Sequence, residues 1–94
     1  MLKTLEDLIK IIRERKLSSD DNSYTSKLLK DKSLSLGKVK EEIGELIEAV
    51  ENNSNKVHEA ADVLYHLLVY LEGNGVRIED IMNELEKRKK KKES

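Results

Sequence analysis

The sequence predicts an all-α fold, a small bundle of about five helices completed by dimerisation into a four-helix-bundle core. Three observations carry this expectation. Apolar residues recur at helical spacing along most of the chain. Proline is absent, and Leu, Ile, Lys and Glu dominate, all compatible with helix. The 94 residues form one expected domain, 1–94, too short to bury a large core alone, and association is a common remedy.

The first helix is expected over Leu5 to about Lys16, where Leu5, Leu8, Ile9 and Ile12 make a single stripe. Thr4 and Asp7 resemble a capping box. Residues 17–23 are polar and loop-like. Tyr24–Lys30 reads as a short helix with Leu28 and Leu29 inward, followed by an irregular stretch over Asp31–Gly37. The third helix is expected from about Lys38 to Glu51, with Val39, Ile43, Leu46 and Val50 toward the core. Asn52-Asn53-Ser54-Asn55 is polar enough to reverse the chain. The fourth helix is expected from about Ser54 to Glu72, stopped by Gly73-Asn74-Gly75. Its main apolar face reads as Val57, Ala60, Ala61, Leu64, Leu67, Leu68 and Leu71. Val63, Val69 and Tyr70 lie off that face and are the residues a second copy is expected to cover. The fifth helix begins near Ile78, carries Ile81, Met82 and Leu85, and runs into a basic tail at about 87–94.

The net charge of −1 conceals an asymmetry. Residues 87–92 are all Lys or Arg, and without them and Glu93 the body holds 12 basic against 18 acidic residues, a net of −6. The tail reads as a solvated, frayed helix end with cations well placed at a C-terminus. Nothing else in the chain offers a basic patch or an aromatic platform for nucleic acid. With no Cys, disulfides and thiolate metal sites are excluded. No stretch reads as a signal peptide or a membrane span, so a cytoplasmic protein with no membrane partner is expected.

The chemistry lies in two pairs of acids. Glu42 and Glu45 are three residues apart, as are Glu59 and Asp62. That spacing puts each pair on one helix face. With the chain reversed between them, four carboxylates converge. Like charges so placed repel, and a divalent cation turns the repulsion into binding. An all-oxygen donor set favours Mg2+ over zinc. Glu48 points outward on this reading, and Glu41 is undecided. His58 reads as exposed, and His66 as a half-buried, satisfied histidine. Ser23-Tyr24-Thr25 sits where a loop meets a helix. Its hydroxyls suit a phosphate, and Ser23 suits an N-cap equally well. Lys27, Lys38 and Lys40 are available to add positive charge near an anionic substrate.

These residues are similar to a known pattern. The chain resembles the phosphoribosyl-ATP pyrophosphatases, a histidine-pathway family among the all-α nucleotide pyrophosphohydrolases that include the MazG-like proteins. EExxE is met by Glu41-Glu42-Ile43-Gly44-Glu45, and ExxD by Glu59-Ala60-Ala61-Asp62. Narrower matches are Ser23-Tyr24-Thr25, Lys38-Val39, and the run from Glu59 to Val69 that includes Tyr65-His66. The resemblance implies hydrolysis of phosphoribosyl-ATP to phosphoribosyl-AMP and pyrophosphate. It implies Mg2+ on Glu42, Glu45, Glu59 and Asp62, and Glu41 or Glu45 as general base. It further implies a nucleotide-binding role for Ser23, Tyr24, Thr25, Lys38 and His66, in a homodimer or dimer-based oligomer. Lys40 departs from the pattern, standing where the family usually has Gly. Two alternatives remain at this level. One is a house-cleaning nucleoside triphosphate pyrophosphohydrolase of the same superfamily. The other is a non-catalytic helical interaction module.

Overall fold

The computed structural model describes residues 2–18 and 22–93, so the middle of the loop expected over 17–23 lies outside the described residues. Five helices follow in order: α1 (Lys3–Leu17), α2 (Tyr24–Lys30), α3 (Lys32–Glu51), α4 (Lys56–Gly73) and α5 (Ile78–Glu93). There is no strand among the described residues.

Helix α1 starts earlier than the capping-box reading allows. Leu2 stands at its N-cap without a side-chain bond, and its carbonyl accepts from the Glu6 N–H at 3.1 Å. Thr4 therefore lies inside the first turn, and Asp7 pairs with Lys3 at 3.4 Å instead. Ile9 and Ile12 are buried, as their spacing requires.

The irregular stretch expected over Asp31–Gly37 is helical. Asp31 closes α2 through its N–H, which donates to the carbonyls of Lys27 and Leu28. Its side chain opens α3 by accepting the Leu34 N–H at 3.0 Å. One Asp thus serves two helix ends, and its capping offsets the low helix propensity of Gly37 and the neighbouring serines.

Helices α3 and α4 share the most extensive packing in the molecule. Asn53 and Asn55, in the left-handed region at φ 52° and 55°, make the reversal between them. Asn tolerates that region better than most residues. The core joins Ile9 and Ile12 of α1, Leu28 of α2, and Leu68 and Val69 of α4.

The rotation of the two central helices differs from the expectation. Val69 is fully buried, and Val63 and Tyr70 are partly buried, so none of them forms the open face. Val57 and Leu64 are exposed instead. On α3, Val39 and Ala49 are buried while Ile43 and Val50 are exposed. The reason is where α1 and α2 dock. They cover the Leu68–Val69 side of α4, which turns the Val57–Leu64 side outward.

A buried acid makes this docking specific. Glu72 is buried near the end of α4, and Arg13 of α1 holds it bidentately at 2.9 and 3.0 Å. The same guanidinium reaches Glu79 of α5 at 2.6 and 2.8 Å. Lys16 adds a bond to the Glu72 carbonyl at 2.7 Å. After Gly75, at φ 77°, α5 touches the core through Ile78 and has no buried residue among those described. The basic run, expected to fray, continues α5 as helix to Glu93.

Candidate active site

The four predicted ligands come together at the α3–α4 interface. One carboxylate oxygen from each of Glu42, Glu45 and Glu59 lies within 4.8 Å of the others. Glu59 also joins Asp62 and His58 in a second group of the same span. The reason is local. Glu42 sits on the side of α3 that carries Val39 and Ala49, and that side faces α4. The reversal at Asn53 and Asn55 then brings the first turns of α4 alongside the last turns of α3.

The Glu42 and Glu59 Oε2 atoms are buried with no hydrogen-bond partner. Native proteins rarely leave such atoms unpaired unless an ion or water completes them. Burial pushes the Glu42 carboxyl up to about 7, with help from a hydrogen bond to Glu45 and the negative charges of Glu45, Asp62 and Glu41. This donor set fits a hard divalent cation: it is all oxygen, and its carboxylates repel one another until a cation sits between them.

The remaining predicted residues surround the acids. Glu41 is exposed and paired with Lys38 at 3.3 Å, outside both acid groups. Glu48 is exposed as expected, yet it lines a shallow groove with Glu45, Asn52, Asn55 and Glu59. His58 is exposed as expected, and its Nε2 lies 3.4 Å from Asp62 Oδ2. The signal available in the sequence was the i,i+4 spacing of His58 and Asp62.

The Ser-Tyr-Thr segment is pinned by its own side chains. The Ser23 hydroxyl accepts from the Ser26 N–H at 3.1 Å, so it is an N-cap of α2. Thr25 and Tyr65 share a hydrogen bond between their hydroxyls. His66 is buried, more deeply than expected, with Nδ1 2.9 Å from the Asp62 carbonyl. A carbonyl only accepts, so Nδ1 carries the proton and Nε2 is left to accept. The Tyr24 hydroxyl donates to it at 2.9 Å. The segment thus docks beside the acids of its own chain. Lys38 and Glu42 both lie close enough to Tyr24 for their charges to act on its phenol.

Comparison with known proteins gives the chain's family. The family model described as phosphoribosyl-ATP pyrophosphohydrolase matches residues 5–89. The chain belongs to that family. The resemblance drawn from EExxE, ExxD and Ser-Tyr-Thr therefore holds. Among phosphoribosyl-ATP pyrophosphatases, that of Methylobacterium nodulans is 45% identical over 93 residues, covering 90% of this chain and 82% of that protein. That of Clostridium novyi is 41% identical over 92 residues, covering 93% and 82%. The histidine biosynthesis bifunctional protein of Thermotoga maritima is 40% identical over 92 residues, 89% of this chain but 44% of that longer protein. The two acid pairs lie one on each of the facing helices, Glu42 and Glu45 on α3 and Glu59 and Asp62 on α4. No helix among the described residues is long and apolar enough to cross a membrane.

Proposed function

We propose that this chain, acting as one helical domain, hydrolyses phosphoribosyl-ATP to phosphoribosyl-AMP and pyrophosphate in histidine biosynthesis, with Mg2+ on Glu42, Glu45, Glu59 and Asp62. The observation that carries the proposal is the pair of buried, unpartnered carboxylate oxygens on facing helices. Family membership supplies the substrate. When bound, Mg2+ offsets the charge of the triphosphate and lowers the pKa of the attacking water.

The protein's own groups have separable roles. Glu45 suits the general base better than Glu41, because it belongs to the acid group, whereas Glu41 is tied to Lys38. Lys38 is the cation beside the site, held there by its hydrogen bond to Glu41, and it suits a substrate phosphate. The His66–Asp62 bond orients the backbone that carries the Asp62 ligand. A cytoplasmic setting goes with this reading.

The working unit is a homodimer. Leu36, Ile43, Ile47 and Val50 are exposed and fall on one stripe of α3. Val57 and Leu64 extend it across α4. A second copy meeting this face about a two-fold axis makes a four-helix bundle. The face adjoins the acids, since Ile43 follows Glu42.

Pyrophosphate release tests the activity, measured on phosphoribosyl-ATP and on ATP, with Mg2+ and with chelator. Turnover that strongly favours phosphoribosyl-ATP and vanishes with chelator is expected. Equal rates on both substrates would make it a house-cleaning enzyme, and none on either would leave an interaction module.

A further inference from the structure

The site as described accounts for phosphates and leaves the base of the substrate without a partner. The chain has three aromatic residues, all Tyr. Tyr65 and Tyr70 are partly buried, while Tyr24 is 46% exposed. The Tyr24 ring is backed by others rather than standing alone. It lies near-parallel to Tyr65, with centroids 6.3 Å apart and an 18° angle between planes. The His66 ring meets both edge-on, 5.8 Å from Tyr24 and 5.0 Å from Tyr65. These separations lie in the range where aromatic rings attract.

The hydrogen bonds fix this ring in place. The Tyr24 hydroxyl is anchored on His66, and His66 on the Asp62 carbonyl. Thr25, next along α2, is anchored on Tyr65. The exposed ring is therefore ordered before any ligand arrives, within reach of the charges of Lys38 and Glu42. An aromatic surface held rigid next to a cation and a carboxylate cluster matches a purine nucleotide. The lysine, with a divalent cation on the cluster, would take the phosphates, and the ring takes the base. Stacking on a preorganised ring loses little further entropy.

We propose that Tyr24 is the stacking platform for the adenine of the substrate, backed by Tyr65 and held by His66. The proposal rests on the nucleotide reading of the acid site. It differs from a phosphate role for the Ser-Tyr-Thr segment, because it assigns Tyr24 through its ring and not its hydroxyl.

Titration calorimetry with Mg2+ present tests it, using ATP and inorganic triphosphate as probes. Wild-type protein binds ATP more tightly than triphosphate. Tyr24→Leu weakens ATP binding about 10-fold, the scale of one lost base-stacking partner, and leaves triphosphate binding unchanged. Tyr24→Phe and Tyr24→Trp keep the ring and retain the preference for ATP, which separates stacking from the bond to His66. Circular dichroism checks that each variant remains helical, and the Phe and Trp variants carry the test if the Leu variant unfolds. An unchanged preference for ATP in Tyr24→Leu, or its loss in both Tyr24→Phe and Tyr24→Trp, overturns the platform. So does equal affinity of the wild type for the two probes. Failure of the wild type to bind either one removes the nucleotide site itself, a result distinct from loss of the preference alone.

Discussion

At the scale of single residues, Glu42 stands out because two of its properties point in one direction. Its Oε2 is buried without a partner, and burial raises its carboxyl to about 7. A raised carboxyl favours the folded state while protonated. In metal-free protein, that contribution is full below the ordinary carboxylate range and is lost as the pH rises through about 7. Glu42→Gln should therefore flatten the fall in thermal stability between acid and neutral pH, while abolishing Mg2+-dependent turnover. Glu45→Gln, Glu59→Gln and Asp62→Asn should also lose turnover without unfolding. Full activity in any one of them would remove that residue from the ligand set. Two serines on α2 make a second comparison. Ser23 caps the helix, so Ser23→Ala should cost about 1 kcal/mol in a denaturant titration. Ser26 is buried with an unpartnered hydroxyl, so Ser26→Ala should be neutral or stabilising. The acids were legible in the sequence because a three-residue spacing on a helix fixes a shared face. Ser23 was legible as a cap or a phosphate ligand, and its bond from the Ser26 N–H makes the cap.

At the scale of elements, all five helices were visible from periodicity, and their rotations were not. Helix α4 is apolar on several sides, so its own sequence does not say whether Val69 or Leu64 faces the core. That is decided by α1 and α2, which dock from distant parts of the chain. The start of α3 was hidden for a different reason. Gly37 with Ser33 and Ser35 looks like a loop, and the Asp31 cap that overrides them is a single residue shared by two helices. The Arg13 clasp joins residues 59 and 66 positions apart, and no local pattern announces it. Arg13→Ala should destabilise the protein by about 3 kcal/mol, because it strips the ion partner from buried Glu72. The clasp also carries a pH signature opposite in sign to that of Glu42. The bond to Arg13 holds the Glu79 carboxyl down to about 2. Its contribution is present above the ordinary carboxylate range and is lost as the pH falls toward about 2. Glu79→Gln should reduce acid-range sensitivity in a thermal melt, and an unchanged acid limb would show that the pairing is not energetically significant.

At the scale of the whole molecule, the exposed apolar stripe of α3 and α4 is the feature a monomer explains least. Ile47→Asp and Leu64→Asp should halve the mass seen by light scattering at micromolar concentration. If the wild type already runs as a monomer with full activity, the dimer is wrong. The sequence reading put the face for a second copy at Val63, Val69 and Tyr70, and Val69 lies in the core instead. The clasp has a further consequence, in time. Helices α3 and α4 are neighbours in the chain, so their contacts close short loops, whereas Arg13 must find Glu72 and Glu79 across most of the chain. Short-range contacts form early in folding, and the longest closures come late. The hairpin carrying the acids should therefore be structured in the transition state, with the clasp still open. Arg13→Ala should then speed unfolding in stopped-flow measurements and leave the refolding rate nearly unchanged. The catalytic acids would belong to the first part of the chain to assemble and the last to come apart.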